Sequence, residues 1–220
     1  FSVSETTEGV HIHIIDAELM GKGEKEKKDL YIEGVQNNGI INHYEYIINS
    51  EGTIEIRHVL KPEGKMPLWF PRIGLTLTVS DALDQVKWYG RGPQENYPDR
   101  KTGYPTGIYA STVQAMYEPD LMPQDYGLRT DVRWLQLTTD KGIGLQFKMN
   151  EWFNFNIYPY STDNLTKAMY TYQLQKQKGM TLNLDYATTG VGCTARGVFG
   201  AYKAMPQEYR RTISIKPMMK

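Results

Sequence analysis

The run Ile40-Ile41-Asn42-His43-Tyr44-Glu45-Tyr46-Ile47-Ile48, broken at Asn49-Ser50-Glu51-Gly52 and resumed as Thr53-Ile54-Glu55-Ile56-Arg57-His58-Val59-Leu60, decides the fold class. Aromatic and β-branched residues recur with a period of two on both sides of a short turn-forming segment. That is the pattern of two half-buried strands joined as an antiparallel pair.

The same rhythm continues outward. His11-Ile12-His13-Ile14-Ile15 and Leu30-Tyr31-Ile32 precede the run, and Asn37-Asn38-Gly39 supplies the positive φ angles of a tight turn. Downstream, Ile73, Leu75, Leu77 and Val79 alternate with Gly74, Thr76 and Thr78. Further strands are expected at Gly107 to Tyr117, Thr130 to Thr139, Gly142 to Met149, Met180 to Tyr186 and Arg211 to Ile215. One short helix is expected, capped by Ser161 or Thr162, with Asp163 in its first turn, running through Ala168. The mixed-sign charge run from Gly21 to Lys28 reads as a solvated hairpin end. Strands that meander without a βαβ rhythm specify an all-β protein, a large antiparallel β-sandwich in one domain over residues 1–220.

Composition narrows the function classes. Lys plus Arg and Asp plus Glu both total 25, so the formal net charge is zero. Neither nucleic acid nor an anionic membrane is attracted without a basic face, and no nucleic-acid or membrane partner is expected. No apolar run reaches the roughly 18 residues a membrane-spanning helix needs. Cys193 is the single cysteine, which excludes an intrachain disulfide but leaves cytoplasm and periplasm equally open. Tyrosine is abundant, at 16 residues beside 4 Trp and 6 Phe. Aromatics suit pleated surfaces, and they also suit a surface that stacks on sugar rings. The chain opens on Phe1, so it reads as a part of something longer.

Trp88-Tyr89-Gly90-Arg91-Gly92-Pro93-Gln94-Glu95-Asn96-Tyr97-Pro98-Asp99-Arg100 is the stretch richest in polar chemistry. Gly90, Gly92 and Pro93 end a strand, and Pro98 prevents a helix, leaving an ordered loop. A loop carrying Glu95, Asn96, Asp99 and Arg100 holds its shape only if those groups find partners. They either pin the loop to itself or face a sugar.

This stretch resembles the signature of the last domain of glycoside hydrolase family two β-galactosidases. Pro71-Arg72-Ile73-Gly74, then Pro123-Gln124-Asp125-Tyr126-Gly127-Leu128-Arg129-Thr130-Asp131-Val132-Arg133-Trp134, then Gly190-Val191-Gly192 follow the same order and spacing. The resemblance implies the supersandwich also seen in galactose mutarotases, here starting late and lacking its first strands. It implies an accessory domain of a β-galactosidase that shapes the rim of the sugar site and supports assembly. The partners would be the catalytic barrel and other domains of the parent enzyme, and the substrate a terminal β-D-galactoside. The parent would carry both catalytic glutamates, and any magnesium or sodium, in its barrel; no cofactor is expected in this chain. The resemblance also allows a homo-oligomeric parent.

Retaining hydrolysis needs two carboxyl groups about 5 Å apart. Glu95 with Asp99, or Asp125 with Asp131, are the pairs the sequence offers. Each sits near Arg91, Arg100, Arg129 or Arg133, which would depress an acid's pKa, so no catalytic residue is expected here. The family brings a tryptophan to the sugar rim in a Gly-Asp-Asp-Ser-Trp run shortly after Gly-Val-Gly. This chain has Cys193-Thr194-Ala195-Arg196-Gly197-Val198-Phe199-Gly200-Ala201-Tyr202 instead. Phe199 or Tyr202 can stand in as the stacking ring, unless Phe199 packs beneath the loop. Between Glu151 and Tyr160, alternation puts Trp152, Asn154 and Asn156 on one side and Phe153, Phe155 and Ile157 on the other. The second set reads as core, the first as a sugar-contacting or interdomain face.

His11 and His13 lie two apart on one strand face, as two zinc ligands can, but no third ligand is evident and no metal site is expected. The alternative to an accessory role is a free-standing carbohydrate-binding or mutarotase-like module. That module needs a histidine and a carboxylate on one concave face, while His11, His13, His43 and His58 all precede the signature loop. A purely oligomer-stabilising domain is the third option.

Overall fold

In the computed structural model, which describes residues 1–19, 39–193 and 197–219, the chain is all-β. Eleven antiparallel strands form a β-sandwich: β1 (Ser2–Thr6), β2 (Gly9–Leu19), β3 (Gly39–Ile48), β4 (Ile54–Glu63), β5 (Arg72–Val79), β6 (Gln85–Arg91), β7 (Thr106–Thr112), β8 (Arg129–Thr138), β9 (Gly144–Tyr158), β10 (Met180–Thr188) and β11 (Tyr209–Met218). The order is β1-β2-β3-β4-β11-β9-β8-β6-β7, and β10 branches from β9 to carry β5.

The hairpin that set the fold class forms as expected. β3 pairs β4 from Gly39 opposite Glu63 to Ile48 opposite Ile54, and Asn49 closes the turn by accepting from the Glu51 and Thr53 amides. The helix also forms over Thr162–Lys167, α1, with Ser161 Oγ accepting from Asn164 N at 3.1 Å and Asp163 in its first turn. Its Leu165 is buried against Tyr126 and Tyr158.

Two strands differ from the expectation. Gly107 to Tyr117 is not one strand; β7 ends at Thr112, and Gln114–Met116 winds into a 3₁₀ turn that buries Met116. Gly142 to Met149 is too short. β9 continues through Trp152 to Tyr158, because its two halves pair different strands. Gly144 to Met149 lies against β11, and Asn154 to Tyr158 against β10. At this change of partner the β10–β5 pair branches from the main path of the sheet. The expected strand at Leu30 to Ile32, the Asn37-Asn38 part of the turn and the Gly21 to Lys28 run lie outside the described residues.

The end of β9, from Phe153 to Tyr158, and β10 are covered on both faces, which is what positions the polar groups. Phe153, Phe155, Ile157, Leu182 and Leu184 enter the main core with Trp88, Leu135, Phe147 and Ile213. Each such side chain contributes roughly 1.5–3 kcal/mol by leaving water. On the opposite face Asn156, Asn183 and Asp185 are as deeply buried, so each requires a partner.

Candidate functional site

Those partners come from the stretches singled out in the sequence. Arg72, at the start of β5, donates from Nη2 to Asp185 Oδ2 at 2.6 Å and to Asn156 Oδ1 at 3.1 Å, and from Nη1 to Asp125 Oδ1 at 3.2 Å. The same Asp125 oxygen accepts from Asn156 at 2.8 Å and from the Tyr158 hydroxyl at 3.1 Å. Burial works against the charge on Arg72, but Asp185 and Asp125 outweigh it and push its pKa up. Burial raises Asp185 in turn, with Arg72 pulling against it. No Cβ fits at Gly74, because Leu184 O and Asp185 Cα lie 2.3 and 2.6 Å from its position.

The Trp88 to Arg100 stretch begins as β6 and leaves the sheet at Arg91. Trp88 is buried, donates to Arg91 O at 3.0 Å, and has the Arg129 guanidinium 5.4 Å from its ring centre. Arg129 in turn donates to Pro93 O and Gly127 O, and burial lowers its pKa to about 10. Glu95 accepts from the Gly127 amide at 2.9 Å and from the Tyr97 hydroxyl at 3.0 Å. Asn96 is fully buried and ties Gln94 O to the Thr130 amide. Arg100 is exposed, with its guanidinium 5.6 Å from the Tyr97 ring centre.

Asp99 reaches furthest. Its carboxylate accepts from the Val191 amide at 3.1 Å and the Gly192 amide at 2.7 Å. A Cβ on Gly190 would lie 2.4 Å from Asp99 Cγ. Signature loop and Gly-Val-Gly stretch are therefore two halves of one latch, and only glycine permits the approach. The Gly190 amide also donates to Tyr202 O at 2.8 Å, which ties the end of the rim segment back to the Gly-Val-Gly stretch.

The register of β8 shifts at Val132, and Asp131 in this bulge has φ of 55°, a conformation aspartate tolerates better than most residues. The turn aims its carboxylate at Arg91 Nε and Lys101 Nζ, both at 2.6 Å. Burial raises the pKa of Asp131, but the hydrogen bonds from Lys101 and Arg91 outweigh it and hold it below the usual carboxylate range.

Asp131 lines a cleft of about 270 Å³ with Lys101, Trp152, Asn154, Thr188 and Tyr202. Three sequence-predicted residues thus meet here: Trp152, Asn154 and Tyr202. Trp152 stays 59% exposed with the Arg133 guanidinium 4.0 Å from its ring centre. Asn154 accepts from the Asp131 amide at 3.3 Å and donates to Thr188 at 3.1 Å. Phe199 is 67% exposed, so it does not pack beneath the loop, and it is not among the residues lining the cleft. Thr194 to Arg196, within the expected rim, lie outside the described residues.

The cleft offers an indole, an amide, a phenol and an ion pair, a set suited to hydroxyl-rich ligands. Among its described lining residues the one carboxylate, Asp131, already holds two cations, which leaves it unsuited to a metal. Lys101 and Thr188 were missed by sequence reasoning. Lys101 directly follows the signature, so adjacency could have found it; Thr188 arrives through strand register and could not. A larger cleft of about 500 Å³, lined by Tyr117, Tyr126, Tyr160 and Lys176, contains none of the predicted residues.

Comparison with known proteins agrees with the motif reading. Residues 5–215 match the family model of the β-galactosidase small chain. A β-galactosidase of Priestia megaterium is 37% identical over 147 residues, 67% of this chain and 14% of that protein. A β-galactosidase of Vibrio cholerae is 38% identical over 122 residues, 56% of this chain and 11% of that protein. Among solved structures, a GalM/aldose epimerase homologue from C. elegans superimposes with a TM-score of 0.44 at 12% identity, covering 98% of this chain and 67% of that one. The chain spans 11–14% of the length of the two curated relatives. It belongs to the β-galactosidase small-chain family.

Proposed function

We propose that this chain, as a β-galactosidase small-chain domain, serves as an accessory wall of a β-galactoside-hydrolysing enzyme: it shapes the sugar rim and supplies no catalytic group. The observation that carries this reading is the state of its carboxylates. Glu95, Asp99, Asp125 and Asp131, the four that could be paired for retaining hydrolysis, each accept hydrogen bonds from at least two groups of the fold itself. A general acid must instead give and recover a proton at the substrate. Trp152, Asn154 and Tyr202 are the contact residues, with Arg133 fixing the indole and Asp99 fixing the segment that leads to Tyr202. Phe199 and Arg100 are exposed and would extend the rim; Glu95 and Asn96 hold the signature loop in shape. Among the described residues lining the cleft there is no histidine, which favours this reading over a mutarotase-like module.

The test is kinetic. In the full-length protein that carries this chain, Trp152→Ala and Tyr202→Ala should each raise KM for a nitrophenyl β-galactoside by about two- to tenfold, the worth of one ring contact, with kcat nearly unchanged. Unchanged KM in both would remove the cleft from the substrate rim. Turnover by the isolated chain that disappears with Glu95→Gln would overturn the accessory role.

A further inference from the structure

At the opposite end of the sheet from the signature loop, strand register completes a cluster that sequence spacing leaves unfinished. His11 and His13 share one face of β2, and β3 sets Glu45 directly opposite His13. Glu45 Oε1 lies 3.3 Å from His11 Nδ1 and 3.9 Å from His13 Nε2. The three donor atoms all fall within 4.8 Å of one another. An ion that holds imidazole nitrogen and carboxylate oxygen at about 2.0–2.2 Å in a tetrahedron keeps its ligand atoms about 3.3–3.6 Å apart. The cluster is already on that scale.

The remaining polar atoms of His11 and Glu45 are held in the way ligand support requires. His11 Nε2 lies 3.0 Å from Thr6 Oγ1 of β1, and that hydroxyl donates to Gly9 O, so it accepts from the ring. In the ion-free chain Nδ1 donates to Glu45; with the ring proton on Nε2, directed at Thr6, Nδ1 becomes free to bind an ion beside Glu45 and His13. Glu45 Oε2 accepts from Arg57 Nη1 at 3.1 Å, while Arg57 Nε donates to Glu55 Oε1 at 2.7 Å. Arg57 therefore orients the far oxygen of Glu45 and shares its charge with a second carboxylate. His11 is mostly buried and His13 half exposed, so the cluster has a fixed floor and an open mouth.

We propose that His11, His13 and Glu45 bind one zinc-class divalent ion, with its fourth position open to water or to a donor from outside this chain. Two imidazoles and one carboxylate favour zinc, nickel or copper over magnesium or calcium, which prefer oxygen ligands. The ion would join β2 to β3, and through Thr6 to the wholly exposed strand β1.

Titration of the metal-stripped full-length protein with Co²⁺ tests the site through its visible absorption, followed by displacement with Zn²⁺. One equivalent per chain should give a four- or five-coordinate cobalt spectrum that Zn²⁺ removes. His13→Ala and Glu45→Gln should each weaken Co²⁺ binding at least tenfold while the circular dichroism spectrum stays that of the parent. Oxygen-ligated sites elsewhere in the enzyme would take up cobalt with weak, octahedral absorption that both variants keep. No intense cobalt spectrum up to millimolar Co²⁺, or equal titration of parent and both variants, overturns the proposal.

Discussion

The loop from Gly92 to Arg100 and the segment from Gly197 to Tyr202 lie at either end of the Asp99 latch, yet they are built on opposite terms. In the loop, Glu95, Asn96, Tyr97 and Asp99 are each bonded to a named partner within the fold. In the segment, Phe199 and Tyr202 present 67% and 40% of their surface to solvent. The difference teaches that the motif residues of this chain are its scaffold, while the exposed rings belong to positions whose identity the fold leaves free.

That division can be attacked from its strongest side first. Arg72→Met strands Asp185, which is 1% exposed, without its cation. Breaking a buried pair from one side costs about 3–5 kcal/mol, so the denaturant midpoint should fall sharply. A stability change below about 1 kcal/mol would show that the polar layer is not the scaffold described here.

Protonation reaches the same interior. His58 is 1% exposed; its Nε2 donates to Asn42 Oδ1 at 3.0 Å and its Nδ1 accepts from the Tyr186 hydroxyl at 2.7 Å, so the ring is satisfied as a neutral base. Burial lowers its pKa to about 4. The unfolded chain, with a histidine pKa near 6.5, then binds more protons below that pH. The stability His58 contributes is therefore fully present above about pH 6.5 and drains away as pH falls through 4, by on the order of 3 kcal/mol. Melting temperatures recorded between pH 7 and 4 should show the loss, and His58→Gln should flatten it.

The latch itself predicts a smaller, coupled effect. Gly190→Ala forces a methyl against Asp99 and should destabilise by about 1–3 kcal/mol. The same change made in an Asp99→Ala background should cost clearly less; additive effects would mean that the two stretches do not touch. At the bottom of the scale, Phe199→Ala should shift stability by no more than about 0.5 kcal/mol, because an exposed ring has little to lose. A large shift there would erase the contrast between loop and rim.

Fold class was legible because period-two alternation is local: Ile40 to Leu60 carries its own pairing and its own turn. The extent of β9 was not, since Gly142 to Met149 and the alternating stretch from Glu151 to Tyr160 become one strand only where β11 and β10 divide it between them. Asp99 and Gly190 could each be marked as motif residues, but their contact spans some ninety positions, a distance no local pattern encodes. Glu45 escaped for the same reason, as its place beside His11 and His13 is a property of register. Trp152, Asn154 and Tyr202, which the structure brings to one cleft, could be marked from sequence because alternation and exposed aromatics are visible in a single strand or segment.

The position of β11 between β4 and β9 has a consequence for the order in which the molecule can assemble. Among the described residues, β11 is the last strand in sequence yet a central one, pairing Ile54 to Leu60 on one side and Gly144 to Met149 on the other. Emerging from the ribosome, β1 to β4 and the β6-β8-β9 group are two ribbons with no ladder between them, each exposing an unpaired edge until Tyr209 to Met218 slides in. Such late, long-range closure slows folding and leaves edges open to association with other chains. The interval before Tyr209 to Met218 is added is therefore the most aggregation-prone for these strands, and one ten-residue strand closes it.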